Sequence, residues 1–164
     1  MHIWVCQHGC QGNKKMGQFN SKVSAEFNPP KQWKLLKQLA YTNRNIDVES
    51  LSQVGVDVVK DSIPVHQGFK TDLASVPRVC WWLLAPWDIA RAAIVHDLLY
   101  WRIRLYRKNN NDKKIIKKAK KAADDVFLMG MKDADPKVSK WKIYSAYWAV
   151  RLFGRWSIIP RDDD

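Results

Sequence analysis

The sequence predicts an α+β fold, with a small antiparallel β-sheet in the N-terminal half followed by three packed α-helices. Residues 17–67 are rich in β-branched residues between turn signals, whereas from residue 86 apolar residues recur at spacings of three and four. The 164 residues suffice for one domain with a modest core. We therefore expect a single domain over residues 17–156, between an N-terminal tail, 1–16, and a C-terminal tail, 157–164.

The predicted strands lie between clusters of turn-forming residues. SKVSAEF, at 21–27, partly alternates polar and apolar residues, and GVDVVKDSIPVHQGF, at 55–69, is rich in valine and isoleucine. Turns are expected at Pro29–Pro30 and Asn43–Asn45. The stretch KQWKLLKQLAY, at 31–41, is compatible with either a short helix or a strand.

The first predicted helix carries two polar side chains on an apolar face. His96 and Tyr100 are four residues apart and therefore share that face, with Asp97 beside them. The predicted face comprises Ile89, Ala92, Ala93, His96, Leu99, Tyr100 and Ile103.

The second and third helices have their own start signals. Asn111 or Asp112 is expected to cap the second, which runs to about Met131 and places Asp124 beside its inward residues. Asp135 and Pro136 are expected to begin the third, and Gly154 to end it. The third helix has two apolar stripes. One is expected to pack on the domain, and the other, a candidate partner-binding surface, consists of Trp141, Tyr144, Trp148 and Leu152.

The charge is strongly positive, with 28 Lys and Arg against 16 Asp and Glu and a formal net charge of +12. Such a chain is attracted to nucleic acid, anionic lipid or an acidic protein. Much of the excess lies within 102–121 and forms either a solvated helix face or an anion- or nucleic-acid-binding patch. The patch comprises Arg102, Arg104, Arg107, Lys113, Lys114, Lys117, Lys118 and Lys121. No apolar run approaches the ~20 residues of a membrane helix, so we expect no transmembrane segment.

Four ordered motifs resemble the phage and prophage family called domain of unknown function 1353. They are GFKTDLASVPR at 68–78, AAIVHDLLY at 92–100, AADDVFLMGM at 122–131 and YSAYWAVRLFG at 144–154. The resemblance implies a bacteriophage context. We therefore expect a virion protein of the tail, portal or capsid, present in host cytoplasm during assembly, with other virion proteins as partners.

A second likeness is local. HDLLY followed by ADDVF is similar to the histidine–aspartate helix and partner helix of secreted and parvoviral phospholipases A2. That likeness implies His96 as general base, Asp97 as calcium ligand and Asp124 as the acid that orients His96. Tyr100 matches the tyrosine that bonds the orienting acid. Those phospholipases place a glycine-rich calcium loop before the histidine, whereas this chain has RVCWWLLAPWD, at 78–88, without glycine.

The polar residues of the first motif leave two interpretations open. Asp72 and Ser75 either fasten the strands to the first helix, or Asp72 joins His96 in a hydrolytic pocket or Asp97 in a metal site. A virion-associated protein built around a His–Asp polar cluster is therefore the first functional hypothesis. The alternatives are a hydrolase acting on the host envelope, with His96 as general base, and a basic accessory protein that binds nucleic acid.

Overall fold

The structure, a computed structural model, describes residues 17–29, 32–71 and 86–162. Its strands are β1 (Gly17–Phe19), β2 (Ala25–Asn28), β3 (Gln32–Leu35), β4 (Leu39–Asn43), β5 (Ser62–Val65) and β6 (Lys70–Thr71). Its helices are α1 (Val48–Ser52), α2 (Pro86–Asn109), α3 (Lys113–Lys132) and α4 (Lys140–Ser157). The α+β prediction is confirmed.

The strands form two three-stranded antiparallel sheets, ordered β1-β4-β5 and β2-β3-β6. The ambiguous stretch 31–41 resolves into β3 and the start of β4, which belong to different sheets. Register is set by pairs such as Tyr41 with Ile63, both fully buried. The short α1, which the periodicity did not predict, begins after Asp47, whose side chain accepts from the Ser50 amide.

Helix α2 is the central element of the fold. All seven residues of its predicted apolar face are buried, and so are Ile94, Val95 and Leu98 on its other sides. Residues 92–100 are buried without interruption, so this part of α2 is covered on every side. The β4–β5 sheet edge, β6 and α3 all contact α2.

Helix α3 follows its predicted bounds closely. Asp112 caps it, because Oδ1 accepts from the amides of Lys114 at 2.8 Å and Ile115 at 3.2 Å. Ala119, Ala123, Phe127 and Met131 are buried, as the pattern predicts.

The predicted bounds of α4 were wrong at both ends. The helix begins at Lys140, after Ser139, because the Asp135 carbonyl accepts from Arg91 Nη2 at 2.6 Å and this segment packs against α2 as a loop. Gly154 does not end the helix, which continues to Ser157. Ile158, within the predicted C-terminal tail, is buried. Of the described helices, none is both long and apolar enough to cross a bilayer.

Candidate functional site

Asp124 is the centre of a buried polar cluster that joins α2, α3 and α4. Its Oδ1 lies 2.6 Å from the Tyr100 hydroxyl and 3.1 Å from His96 Nε2. Its Oδ2 accepts from Lys120 Nζ at 2.8 Å and from Arg151 Nη1 at 3.0 Å. Four donors therefore converge on one fully buried carboxylate, and we call this group the Asp124 cluster.

Helical periodicity explains half of this geometry. His96 and Tyr100 are one turn apart on α2, and Lys120 and Asp124 are one turn apart on α3, so each pair shares a face. The His96 ring packs against the Tyr100 ring at 4.0 Å and the Phe127 ring at 4.9 Å between centroids. Those aromatic contacts fix the imidazole orientation.

The carboxyl group of Asp124 is held in its ionised form. Burial alone would raise its pKa, but the hydrogen bond from His96, the charge of a protonated His96 and the charge of Lys120 together outweigh burial and hold the pKa below the ordinary value. An ionised carboxylate only accepts hydrogen bonds. Nε2 must therefore donate to Asp124, and in the neutral imidazole Nδ1 is the basic nitrogen.

His96 Nδ1 is buried and has no hydrogen-bond partner among the described residues. Leaving a buried polar atom unsatisfied costs about 1–3 kcal/mol, so such atoms commonly mark a functional position. Nε2 is anchored, and Nδ1 has no partner within the described part of the chain, which is compatible with a general base.

The Tyr100 hydroxyl reaches Asp124 because residue 154 is glycine. A Cβ at Gly154 would collide with the Tyr100 hydroxyl and lie 3.1 Å from its Cζ. Burial, followed by the charge of Asp124, raises the pKa of Tyr100 well above 10. Tyr100 therefore remains a hydrogen-bond donor throughout the ordinary pH range. Gly154 also belongs to the cluster, although its position near the end of a predicted helix indicated only a helix end.

Asp97 is buried on another side of α2 and accepts from the Thr71 hydroxyl at the end of β6. Gly68, with φ of +87°, provides the turn before β6 that brings Thr71 there. Asp72 and Ser75 follow Thr71 and lie outside the described residues. Both interpretations of these two residues therefore stay predictions.

A calcium ion at Asp97, implied by the phospholipase likeness, requires six to eight oxygen ligands. Within the part of the chain that the structure describes, no three His, Cys, Asp or Glu side chains gather to hold a metal. One Asp97 oxygen already accepts from Thr71. Asp72, the other predicted ligand, lies outside the described residues, so a calcium site at Asp97 stays a prediction.

The structure separates the predicted anion-binding residues into two groups. Arg104 and Arg107 donate to the carbonyls of Ser157 and Ile158 at the end of α4, at 3.3 and 2.7 Å, and Arg102 stacks on Trp101. Lys113 is exposed at the start of α3. The other four lysines line a groove of about 450 Å³ between α3 and α4.

Basic residues alone line this α3–α4 groove, and they do so mostly with their aliphatic stems. The lining residues are Lys114, Lys117, Lys118, Lys120, Lys121, Arg151 and Arg155. Lys120 and Arg151 also bond to Asp124, and their side chains are 12% and 30% exposed, so they belong to both the groove and the Asp124 cluster. The sequence prediction did not place Arg151 and Arg155 in the patch, although the four-residue spacing of the two arginines was a usable signal.

The predicted partner-binding residues are exposed on α4. Trp141, Trp148 and Leu152 are 58%, 59% and 61% exposed, and Tyr144 and Trp156 are exposed beside them. The opposite side of the helix buries Ile143, Ala146 and Val150. We call the exposed residues the α4 ridge, which comprises Trp141, Tyr144, Trp148, Leu152 and Trp156.

A second polar cluster joins β4 to the end of α3. The Tyr41 hydroxyl donates to Asp133 Oδ2 at 2.6 Å and accepts from Asn43 Nδ2 at 2.9 Å. Gly17 packs so closely on these side chains that a Cβ there would lie 2.7 Å from the Tyr41 hydroxyl. We call this group the Asp133 cluster.

Comparison with known proteins identifies the family of the chain. The family model described as protein of unknown function (DUF1353) matches residues 33–150, which is well over half of the chain. No curated protein and no solved structure matches it. The matched region includes His96, Tyr100 and Asp124, and its upper limit falls one residue before Arg151. The chain belongs to the DUF1353 family.

Proposed function

We propose that the chain is a hydrolase in which His96 acts as general base through Nδ1. The observation that carries the proposal is the fixed tautomer of His96. The ionised Asp124 accepts from Nε2, with 3.1 Å between Oδ1 and Nε2, and this leaves the buried Nδ1 as the base. Asp124, Tyr100 and the likeness to phospholipase helices all support the same role for His96.

The proposed reaction is hydrolysis of an ester. A water molecule transfers a proton to Nδ1 while its oxygen attacks the carbonyl carbon. The carbon–oxygen bond to the leaving alcohol then breaks, and the imidazolium returns its proton to the alkoxide. Asp124 stabilises the imidazolium and keeps the ring in place, and Tyr100, a permanent donor, positions the carboxylate.

Lys120 and Arg151 limit how strongly Asp124 pulls on the imidazolium proton. Both bond to Oδ2, so the negative charge of Asp124 is shared between His96 and two cations. We propose a host-envelope ester, with phospholipid foremost, as the substrate.

The test is fatty-acid release from phospholipid vesicles by the purified chain. His96→Gln replaces the basic imidazole by a neutral amide that can still donate a hydrogen bond. We expect a loss of about 10²- to 10⁴-fold in turnover. Asp133→Asn is the matched control, because it alters a tyrosine–carboxylate pair of similar geometry elsewhere and should retain turnover. Equal turnover of His96→Gln and the unmodified chain would contradict the proposal.

A second candidate is a non-catalytic virion protein of the tail, portal or capsid. The complete burial of His96 and Asp124 favours it, because a fully enclosed polar cluster also serves to fix one packing of three helices. In that case the chain co-purifies with phage particles, and His96→Gln changes stability without changing any turnover. Absence from purified particles would count against this candidate.

A further inference from the structure

We infer that the face formed by the α4 ridge and the α3–α4 groove docks on an anionic lipid bilayer. The inference goes beyond the proposed hydrolysis and does not depend on it, because neither the ridge residues nor the groove lysines Lys117 and Lys118 belong to the Asp124 cluster. The bilayer surface is the ligand, with acyl chains beneath the ridge and phosphate headgroups in the groove.

The ridge has the composition of a membrane-interface surface. Trp141, Trp148 and Leu152 each expose more than half of their surface, and Phe153 and Trp156 stack beside them at 6.1 Å between centroids. Tryptophan prefers the boundary between headgroups and acyl chains, where its ring is apolar and its N–H is hydrated. Because α4 is buried on its opposite side, it lies along a bilayer surface and does not cross it.

Cations border the ridge and touch its rings. The Arg155 guanidinium lies 4.2 Å from the Trp156 ring centroid, and Lys132 Nζ lies 5.3 Å from that of Tyr144. Lys142 Nζ lies 5.9 Å from the Trp141 centroid. Long basic side chains extend their charges towards headgroups while their stems lie on apolar surface.

The groove continues this surface towards α3. Arg155 both lines the groove and stacks on Trp156, so ridge and groove are adjacent. Seven cations line the groove, and among the described residues two carboxylates, Asp124 and Asp125, pair with them. The excess positive charge is complementary to anionic headgroups, each of which carries a phosphate.

The combination favours a bilayer over nucleic acid or a protein. A phosphate backbone would use the groove cations but leave Leu152, Trp148 and Trp141 in water. A protein interface of this kind depletes lysine, whereas here five lysines line the groove beside the ridge. A bilayer accommodates both the apolar and the cationic part.

The experiment is flotation of the full chain with vesicles of phosphatidylcholine, with and without phosphatidylglycerol. We expect association that requires phosphatidylglycerol and weakens with salt. Replacing Trp148 and Leu152 together by Ser should weaken it about tenfold or more. Lys117→Glu and Lys118→Glu should each weaken it at least about fivefold, since a cation near the surface contributes about that factor.

Matched controls separate this surface from general charge and apolarity. Val59→Ser removes an equally exposed apolar side chain, 59%, in the strand region, and Lys37→Glu reverses an exposed charge there. Both variants should float as the unmodified chain does. His96→Gln should also float normally, so loss of docking and loss of hydrolysis remain distinguishable.

Three results would overturn the inference. The first is failure of the unmodified chain to float with anionic vesicles. The second is flotation unaffected by the ridge and groove variants. The third is a groove-dependent association that the ridge variant leaves intact and that duplex DNA displaces, which would assign the groove to nucleic acid.

Discussion

The Asp124 and Asp133 clusters share a hydrogen bond from a tyrosine to an aspartate and differ in the other groups that bond to that aspartate. In each, a tyrosine hydroxyl lies 2.6 Å from an aspartate carboxylate. Around Asp133 the additional donor is the neutral amide of Asn43, whereas around Asp124 the additional donors are Lys120, Arg151 and the titratable His96. The comparison teaches that a buried tyrosine–carboxylate pair joins elements of a fold, and that chemistry requires a further group able to exchange protons.

The largest difference is expected on neutralising each carboxylate. Asp124→Asn leaves Lys120 and Arg151 facing a neutral amide within the fold, and breaking a buried ion pair costs about 3–5 kcal/mol. Asp133→Asn weakens hydrogen bonds at a partly buried site, at about 1–2 kcal/mol. Urea unfolding of both variants measures the free energies. Equal losses would remove the distinction between the two clusters.

A smaller effect is expected from adding one methyl group beside each tyrosine. Gly154→Ala should cost about 1–3 kcal/mol by overpacking, although alanine is the better helix former by about 1 kcal/mol. Since the Tyr100 hydroxyl is the main obstacle, Tyr100→Phe should relieve most of that strain. At Gly17 the obstacle also includes Asn43 and Asp133, so Tyr41→Phe should relieve less.

Double-mutant cycles at the two glycines measure this relief. The coupling between residues 154 and 100 should exceed that between residues 17 and 41. The opposite order would indicate that the Tyr100 hydroxyl is not what requires glycine at position 154.

The smallest effect is a difference in pH dependence, at most about 1.4 kcal/mol per pH unit for each group. The folded state depresses the pKa of Asp124, so its contribution is present above the ordinary carboxyl pKa and is lost as pH falls through the lower folded value. Acid titration of stability should therefore be shallower in Asp124→Asn. Identical acid slopes would contradict the assigned ionisation.

Alkaline titration should affect both clusters alike. Burial, followed by interactions with the neighbouring aspartate, raises the pKa of Tyr41 and of Tyr100. Their contributions are present below the ordinary tyrosine pKa, about 10, and are lost as pH rises above it. Tyr41→Phe and Tyr100→Phe should each reduce the alkaline slope.

The parts of the site that the sequence predicts are those that follow from helical periodicity. His96 and Tyr100 share a face of α2 by spacing, and Asp124 lies beside the inward residues of α3. Arg151 was not predicted as a partner because its contact depends on how α4 packs on α3, and spacing within one helix does not specify packing between two.

The fold shows the same limit. The strands of residues 17–67 were predictable from composition, but their division into two sheets depends on β3 pairing with β6, more than thirty residues along the chain. Asp135 followed by proline is a good local signal for a helix start. In the structure, however, the Asp135 carbonyl accepts a hydrogen bond from Arg91 of α2, and the helix begins later. The glycine at 154 has the same local appearance whether it ends a helix or admits a neighbouring hydroxyl.

Lys120 and Arg151 connect the outer surface of the protein to its interior. The same two side chains face the groove and hold Asp124, so an anion in the groove and the buried carboxylate compete for their charge. His96 bonds to the other carboxylate oxygen, Oδ1, and is not among the residues that line the groove. Replacing either Lys120 or Arg151 should therefore affect both the charge of the groove and the packing of the three helices around Asp124.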